Sequence, residues 1–368
     1  MRVIGIDPGT VSVDLCGLDG GRVFLDRAIP TADALADPSP LIAILEDAHR
    51  QRPLDLIAGP SGYGLPLVAA RDATDADMRL ACLAPEGEPG GIGGLRTLMR
   101  LLATSPLPVV FTPGVLHLRT VPPHRKINRV DMGTADKVCA AALAIHEIAR
   151  ASNTSPRESS FILLELGGAF TAALAVDGGR IVDGCGGTAG PMGMRAAGAM
   201  DGEVAFLART VSKDTLFRGG VASVTGSTDM AGALMAEPTN EAGRMAWTAF
   251  VESVAKAVAA LLVAVPSVRR VILSGRMARA DTLRGALATR LGPIAPGMTI
   301  EHLAGFAATA KHAAQGAALI ADGLAGGESG PLVDAMQLRD ASGTVLDYLY
   351  VISRDEARER LGISNSGF

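Results

Sequence analysis

One pattern near the start of the chain is written twice. Val3-Ile4-Gly5-Ile6-Asp7-Pro8-Gly9-Thr10 is followed by Gly17-Leu18-Asp19-Gly20-Gly21-Arg22-Val23. Later, Ile162-Leu163-Leu164-Glu165-Leu166-Gly167-Gly168 is followed by Ala175-Val176-Asp177-Gly178-Gly179-Arg180-Ile181. A single offset of 158 residues relates Asp7 to Glu165, Gly9 to Gly167 and Asp19 to Asp177. Each copy reads as an apolar strand, an acid, a glycine turn, a second strand and an Asp-Gly-Gly turn. Asp-Gly between apolar runs is a hairpin signal because it supplies the positive φ angles of a tight turn. Internal self-similarity of this kind implies a fold built from two related halves.

The spacing carries chemistry. An acid at a strand end, followed by glycines, leaves backbone N–H groups free to face phosphate oxygens, with no Cβ in the way. Two such loops facing one another across a cleft would hold a polyphosphate. Asp7 and Glu165 would then sit beside its Mg²⁺, a cation that takes few protein carboxylates and keeps several waters. The P-loop pattern Gly-x-x-x-x-Gly-Lys-Ser/Thr does not occur.

A third segment, Val271-Ile272-Leu273-Ser274-Gly275-Arg276, is a strand ending in small residues. With Asp7-Pro8-Gly9-Thr10 and Glu165-Leu166-Gly167-Gly168 in this order, the chain resembles the acetate and sugar kinase, Hsp70 and actin superfamily. Within it, the chain is similar to a DUF1464-like family of predicted butyrate kinases. The resemblance implies an α/β fold of two duplicated ribonuclease H-like domains, the actin-like ATPase fold, with a nucleotide cleft between them. It implies ATP and Mg²⁺, with Asp7 and Glu165 at the metal, and Gly9, Thr10, Gly167 and Gly168 at the phosphates. Ser274, Gly275 and Arg276 would approach the adenosine. The expected organisation is a first domain over 1–150, a second over 151–330, and a C-terminal hairpin and helix over 331–368. The polar stretch Ala151 to Ser160 would be the connection.

Gly190-Pro191-Met192-Gly193-Met194-Arg195, followed by Gly198 and Asp201, is similar to a segment of acetate kinase. There the arginine stabilises charge on the phosphoryl group in flight, and the role carries over to Arg195. A planar guanidinium suits it because it can take two oxygens at once. The chain departs from many relatives at Ala169-Phe170, where they continue with Gly and Thr.

Other candidates come from position. Ser61, Gly62 and Tyr63 follow the short apolar strand Leu54 to Ala58, and strand-end loops of α/β sheets face the ligand crevice. Asp131, Asp136 and Lys137 cluster at the start of an Ala-rich helix, with Thr134 as its expected N-cap. They read as acceptor-side polar groups, the two acids as candidate bases. Pro85 to Gly94 is glycine-rich and reads as a flexible linker. Ala304 to Ala321 reads as a helix beneath the nucleotide, and Met336 to Val351 as a hairpin turning at Ala341-Ser342-Gly343.

Composition bounds the rest. A net charge of −4, with acids and bases mixed along the chain, argues against a nucleic-acid surface. The four cysteines, Cys16, Cys82, Cys139 and Cys185, lack metal-ligand spacing and read as reduced thiols of a cytoplasmic protein. The apolar run from Val251 to Val265 contains Glu252 and Lys256 and reads as too short and charged to span a membrane. A small-molecule substrate is expected, and the resemblance implies a homodimer.

These readings converge on an ATP-dependent phosphotransferase, foremost a carboxylate kinase forming an acyl phosphate. A kinase of a small hydroxyl-bearing metabolite with an Asp base, and a non-kinase ATP-binding switch, remain as alternatives. A resolvase-like nuclease would need a basic face. A carbamoyl transferase would need a histidine pair on a helix, which is absent.

Overall fold

The computed structural model describes residues 1–85, 88, 94–227 and 240–363. Most of the Pro85 to Gly94 stretch therefore lies outside the described residues. The first sheet contains β1 (Arg2–Pro8), β2 (Ser12–Asp19), β3 (Arg22–Pro30), β4 (Leu56–Gly59), β5 (Val68–Ala69) and β6 (Val109–Phe111), in the order β3-β2-β1-β4-β6-β5. The second contains β7 (Phe161–Leu166), β8 (Thr171–Asp177), β9 (Arg180–Cys185), β10 (Arg270–Ser274) and β11 (Thr299–His302), in the order β11-β10-β7-β8-β9. Each sheet begins as a three-stranded antiparallel meander and grows by two parallel strands on the far side of its first strand, to which the first sheet adds β5 as an antiparallel edge.

The duplication extends to fine geometry. Gly20 and Gly21 turn the first hairpin at φ +55° and +76°, and Gly178 and Gly179 turn the second at +57° and +72°. The register irregularity falls between Gly17 and Leu18 in one copy and between Ala175 and Val176 in the other, at the same 158-residue offset.

Strand alternation sorts side chains into three apolar clusters. On the first sheet, Ile4, Ile6, Val13 and Leu15 face outward against α1 (Ser39–Gln51), α2 (Asp75–Cys82) and α3 (Leu95–Thr104). Then α4 (Ala135–Ser152) leads into the second sheet. On that sheet Ile162, Leu164 and Leu166 face outward against α5 (Glu241–Leu262) and α6 (Asp281–Leu291). The chain finally returns through α7 (His312–Leu324), which packs on β1, β2 and β4 of the first sheet. The third cluster joins the inner faces of both sheets, Val3 and Leu18 on one side and Phe161, Leu163 and Leu174 on the other, through α4 and α7.

These two helices are composed for close approach. Ala140, Ala141, Ala142 and Ala144 of α4 meet Ala313, Ala314, Ala317 and Ala318 of α7, all buried. A Cβ on Gly316 would land inside the radius of the Cys139 carbonyl, and one on Gly5 would strike the Ala314 carbonyl and the Ala318 amide. No side chain is small enough to replace these hydrogens without moving a backbone.

The structure corrects several expectations. Helix α7 begins at His312, because the backbone amides of residues 304–310 are claimed by side chains. Glu147 accepts from Ala304 and Gly305, Gln315 from Phe306 and Ala307, and Asp26 from Ala308, Thr309 and Ala310. The expected hairpin over 336–351 is absent from those residues. Met336 ends α8 (Gly330–Met336), and the rest is a 3-10 turn at Leu338–Asp340 and bends, followed by α9 (Arg354–Arg360). Val345 and Leu346 are adjacent and both buried, which a two-faced strand edge does not allow, and Asp347 caps Thr344 in a turn. Thr134 occupies the N-cap position without capping; its hydroxyl donates to Asp136 instead. Among the described residues, α5 is the one helix long and apolar enough, by length and composition, to cross a membrane. It runs 22 residues and seats Phe250, Val254 and Val258 in the outer core of the second sheet.

Replacing Gly316 by Val is expected to lower the unfolding free energy by about 3 kcal/mol, from overpacking between α4 and α7. Gly285→Ala, on the open face of α6, should raise it by about 0.5–1 kcal/mol. Urea unfolding of both variants checks the pair.

Candidate functional site

A cavity of about 540 Å³ is lined by residues of both halves. The two repeated loops meet in it. A Cβ on Gly168 would sit 3.6 Å from Val11 Cγ2 and 3.7 Å from Thr10 Oγ1, so the turn after β7 faces the turn after β1. Both turns end strands that lie at the centre of their sheets. Their positions are therefore set by neighbours on each side.

Asp7 closes β1 at the floor of this gap. It is 4 % exposed, and its Oδ1 is buried with no hydrogen-bond partner. Burial pushes its carboxyl up to about 7, against the pull of Lys311, whose ammonium lies 3.9 Å from Oδ2. Directly across the hairpin sits Asp14, paired with Asp7 in the strand register. Lys311 Nζ is 2.7 Å from Asp14 Oδ2 and 2.7 Å from the Ser12 carbonyl. This lysine crosses from the start of α7 to pin the first loop.

Asp136 and Lys137 form a half-buried ion pair. Burial opposes the Asp136 charge, but Lys137 and the Thr134 hydroxyl outweigh it and hold the carboxyl below its ordinary range. Burial likewise opposes the Lys137 charge, and Asp136, Glu165 and Asp7 outweigh it, so the ammonium is held above its usual value.

Asp131 is differently used. Its Oδ1 accepts from the Gly133 amide, and its Oδ2 accepts from both the amide and the hydroxyl of Thr188, at 2.9 and 3.0 Å. Its carbonyl accepts from Gly186, where a Cβ would collide with the carboxylate. The acid thus fastens the loop after β9 to the loop before α4. Tyr63, in the turn after β4, is half-buried beside this clasp, and desolvation raises its hydroxyl pKa.

The adenosine-motif residues lie at another stretch of the lining. Gly275, at φ +91°, has no room for a Cβ beside the Leu166 carbonyl and the Glu165 carboxylate. Ser274 Oγ is 2.9 Å from His312 Nδ1, and burial keeps that imidazole below its ordinary pKa. Arg276 and Arg279 also face the cavity.

The structure brings together Asp7, Gly9, Thr10, Ser61, Gly62, Tyr63, Asp131, Asp136, Lys137, Glu165, Gly167, Gly168, Ser274, Gly275 and Arg276 around one space. Arg195 is the exception: its side chain is exposed and is not part of the lining. Its backbone nonetheless hangs from the second loop, with the Arg195 and Ala196 amides both donating to the Ala169 carbonyl. Its guanidinium carbon lies 5.5 Å from the Phe217 ring centroid. Phe217 in turn meets Phe170 edge-to-face at 4.7 Å. The departure at Phe170 thus supplies an aromatic wall.

The sequence reading did not assign Asp14, Lys311, Thr188, Lys213 or Phe217 to the site, and all of them line the cavity. Hairpin pairing alone could have found Asp14, since an acid on an apolar strand opposite Asp7 needs a partner. The others are brought in by loops whose course no local pattern reveals.

Two repeated meanders joined by crossing helices, with facing glycine loops, give the two-sheet α/β fold seen in solved acetate and propionate kinases. The sequence matches the family described as "Protein of unknown function (DUF1464)" over residues 5–351. The chain belongs to that family. No curated protein matches the sequence. Among solved structures, a propionate kinase from Francisella tularensis is similar, with a TM-score of 0.62 at 15 % identity over 86 % of this chain and 98 % of that one. An acetate kinase from Entamoeba histolytica gives 0.59 at 15 % over 80 % and 87 %. One from Porphyromonas gingivalis gives 0.58 at 16 % over 86 % and 98 %. At these identities the likeness is one of fold.

Thr188→Val should cost about 1–2 kcal/mol, because it removes one donor from a buried carboxylate. Chemical denaturation measures it. An unchanged stability would mean that the Asp131 clasp does not hold the two halves.

Proposed function

We propose that this protein is an ATP-dependent phosphotransferase that phosphorylates a small carboxylic acid to an acyl phosphate. The observation that carries the reading is the pair of facing glycine loops, Gly9-Thr10 and Gly167-Gly168, above the unpaired buried oxygen of Asp7. Amides at such turns suit phosphate oxygens. The similarity in fold to acetate and propionate kinases adds to it.

The residues present fit Mg²⁺. That ion takes one or two carboxylates and completes its shell with phosphates and water. Asp7 offers an oxygen with no other partner, and Glu165 lies on the facing strand end. When bound, the metal would neutralise charge on the β- and γ-phosphates. The protein's own contribution is positioning and electrostatics. The glycine loops hold the phosphates, Lys137 and Lys311 set positive charge beside them, and Ser274 to Arg276 seat the nucleoside. Arg195, anchored on the second loop, is without a carboxylate partner among the described residues, and would turn from Phe217 to meet the transferring group.

A carboxylate acceptor needs no base, whereas a hydroxyl acceptor gains from one. Asp136 is committed to Lys137 and held ionised, and both Asp131 oxygens are engaged. Burial raises the Asp131 pKa, but that carboxylate is spent on the clasp with Gly133 and Thr188, so neither acid stands as a dedicated base, which favours the carboxylate over the hydroxyl acceptor.

Hydroxylamine trapping with Mg-ATP and a panel of short carboxylic acids tests the proposal. Acid-dependent hydroxamate is expected, lost on chelation of the metal. It should fall about 100-fold or more in kcat for Asp7→Ala and for Arg195→Ala. ADP release driven by an alcohol, without hydroxamate, would replace the carboxylate by a hydroxyl acceptor. ATP binding without any acceptor-dependent turnover would point to a nucleotide switch.

A further inference from the structure

The cavity holds a lysine that the proposed reaction leaves unused. Lys137 interacts with Asp136, Glu165 and Asp7, the acids beside the glycine loops. Lys213 has another neighbour: whereas Lys137 is paired with Asp136, the Lys213 ammonium lies over the Tyr63 ring in the turn after β4. Lys213 opens a short 3-10 turn, Lys213–Phe217, capped by Ser212. The turn presents Lys213, Leu216 and Phe217 to the cavity. Its ammonium lies 5.2 Å from the Tyr63 ring centroid, and the neighbouring lining at Cys82 and Leu95 is apolar.

Among the described residues, no carboxylate forms an ion pair with Lys213. Burial lowers its pKa, so its surroundings leave the charge poorly compensated. A half-buried cation facing an aromatic ring and an empty space has a direct complement, which is an anionic group of the bound molecule.

The geometry points to Lys213 as the anchor for a second anionic group of the acceptor, beside Tyr63, so that the acceptor is a short dicarboxylate. The identity of this molecule as the acceptor rests on the kinase reading above; the anion site itself does not. The phosphoryl-accepting oxygen would sit toward Lys137 and the loops. The aliphatic link would run past Tyr63 and Phe170, and the distal carboxylate would reach Lys213.

Calorimetric titration of the full chain tests this without turnover. The probes are the sodium salts of butyrate, pentanoate and hexanoate, and of succinate, glutarate and adipate, which match them in chain length. At least one dicarboxylate is expected to bind about tenfold or more tightly than its monocarboxylate partner. In Lys213→Met that preference should shrink to within about twofold, while Lys213→Arg retains it and ATP affinity stays unchanged in both. The inference is overturned if no dicarboxylate exceeds its partner, or if the preference survives Lys213→Met. ADP formation is read separately. A dicarboxylate that binds through Lys213 but accepts no phosphate upholds the anion site and removes the kinase reading. Phosphoryl transfer to butyrate with no dicarboxylate preference does the reverse.

Discussion

The contact between α4 and α7 is what the rest of the structure depends on. Both helices are rich in alanine, and at Gly316 one backbone rests on the other. Their shared surface joins the inner faces of both sheets into one apolar cluster. Because β1 and β7 end beside these helices, the helix contact sets the spacing of the two glycine loops. A wider separation would leave each loop intact and the space between them too large to hold one polyphosphate. The small residues are therefore a condition for the site as well as for the core.

Charge in the cavity is divided by the way each group is satisfied. Asp131 has all its oxygens engaged and works as a fastening between halves. Asp136 and Lys137 satisfy one another, which keeps both charged despite burial. Asp7 is left with an orphaned oxygen, and Lys213 with an ammonium facing a ring. Groups of the first kind stabilise the empty protein. Those of the second kind are complete only when something binds, and they mark where binding energy is available.

Much of this was legible in the sequence because it was local. The hairpins, their acids and their Asp-Gly-Gly turns need only a few neighbouring residues, and the repeat fixed which strand ends would correspond. The strand Leu56–Gly59 was visible from the apolar run Leu54 to Ala58 alone. What the sequence hid depended on distant partners. The amides of residues 304–310 are taken by Asp26 and Glu147, far away in the chain, so an Ala-rich run that looks helical begins as a loop. Asp131 looked like a base until Thr188 was seen against it. Arg195 carries a recognisable motif, yet its side chain rests on Phe217, and no pattern in the segment announces that choice.

The return of α7 to the first sheet has a consequence for how such a fold can be taken apart. The inner face of the first meander is covered by a helix encoded after the whole of the second. A fragment ending near Ser160 would present Val3, Leu18 and Ala58 to water with only α4 beside them. The complementary fragment would carry α7 without the surface it was shaped to fit. The two repeats are alike in plan, but neither is a module. The molecule is a mutual exchange of helices: each half has an outer core of its own, but the inner core is completed only by the other.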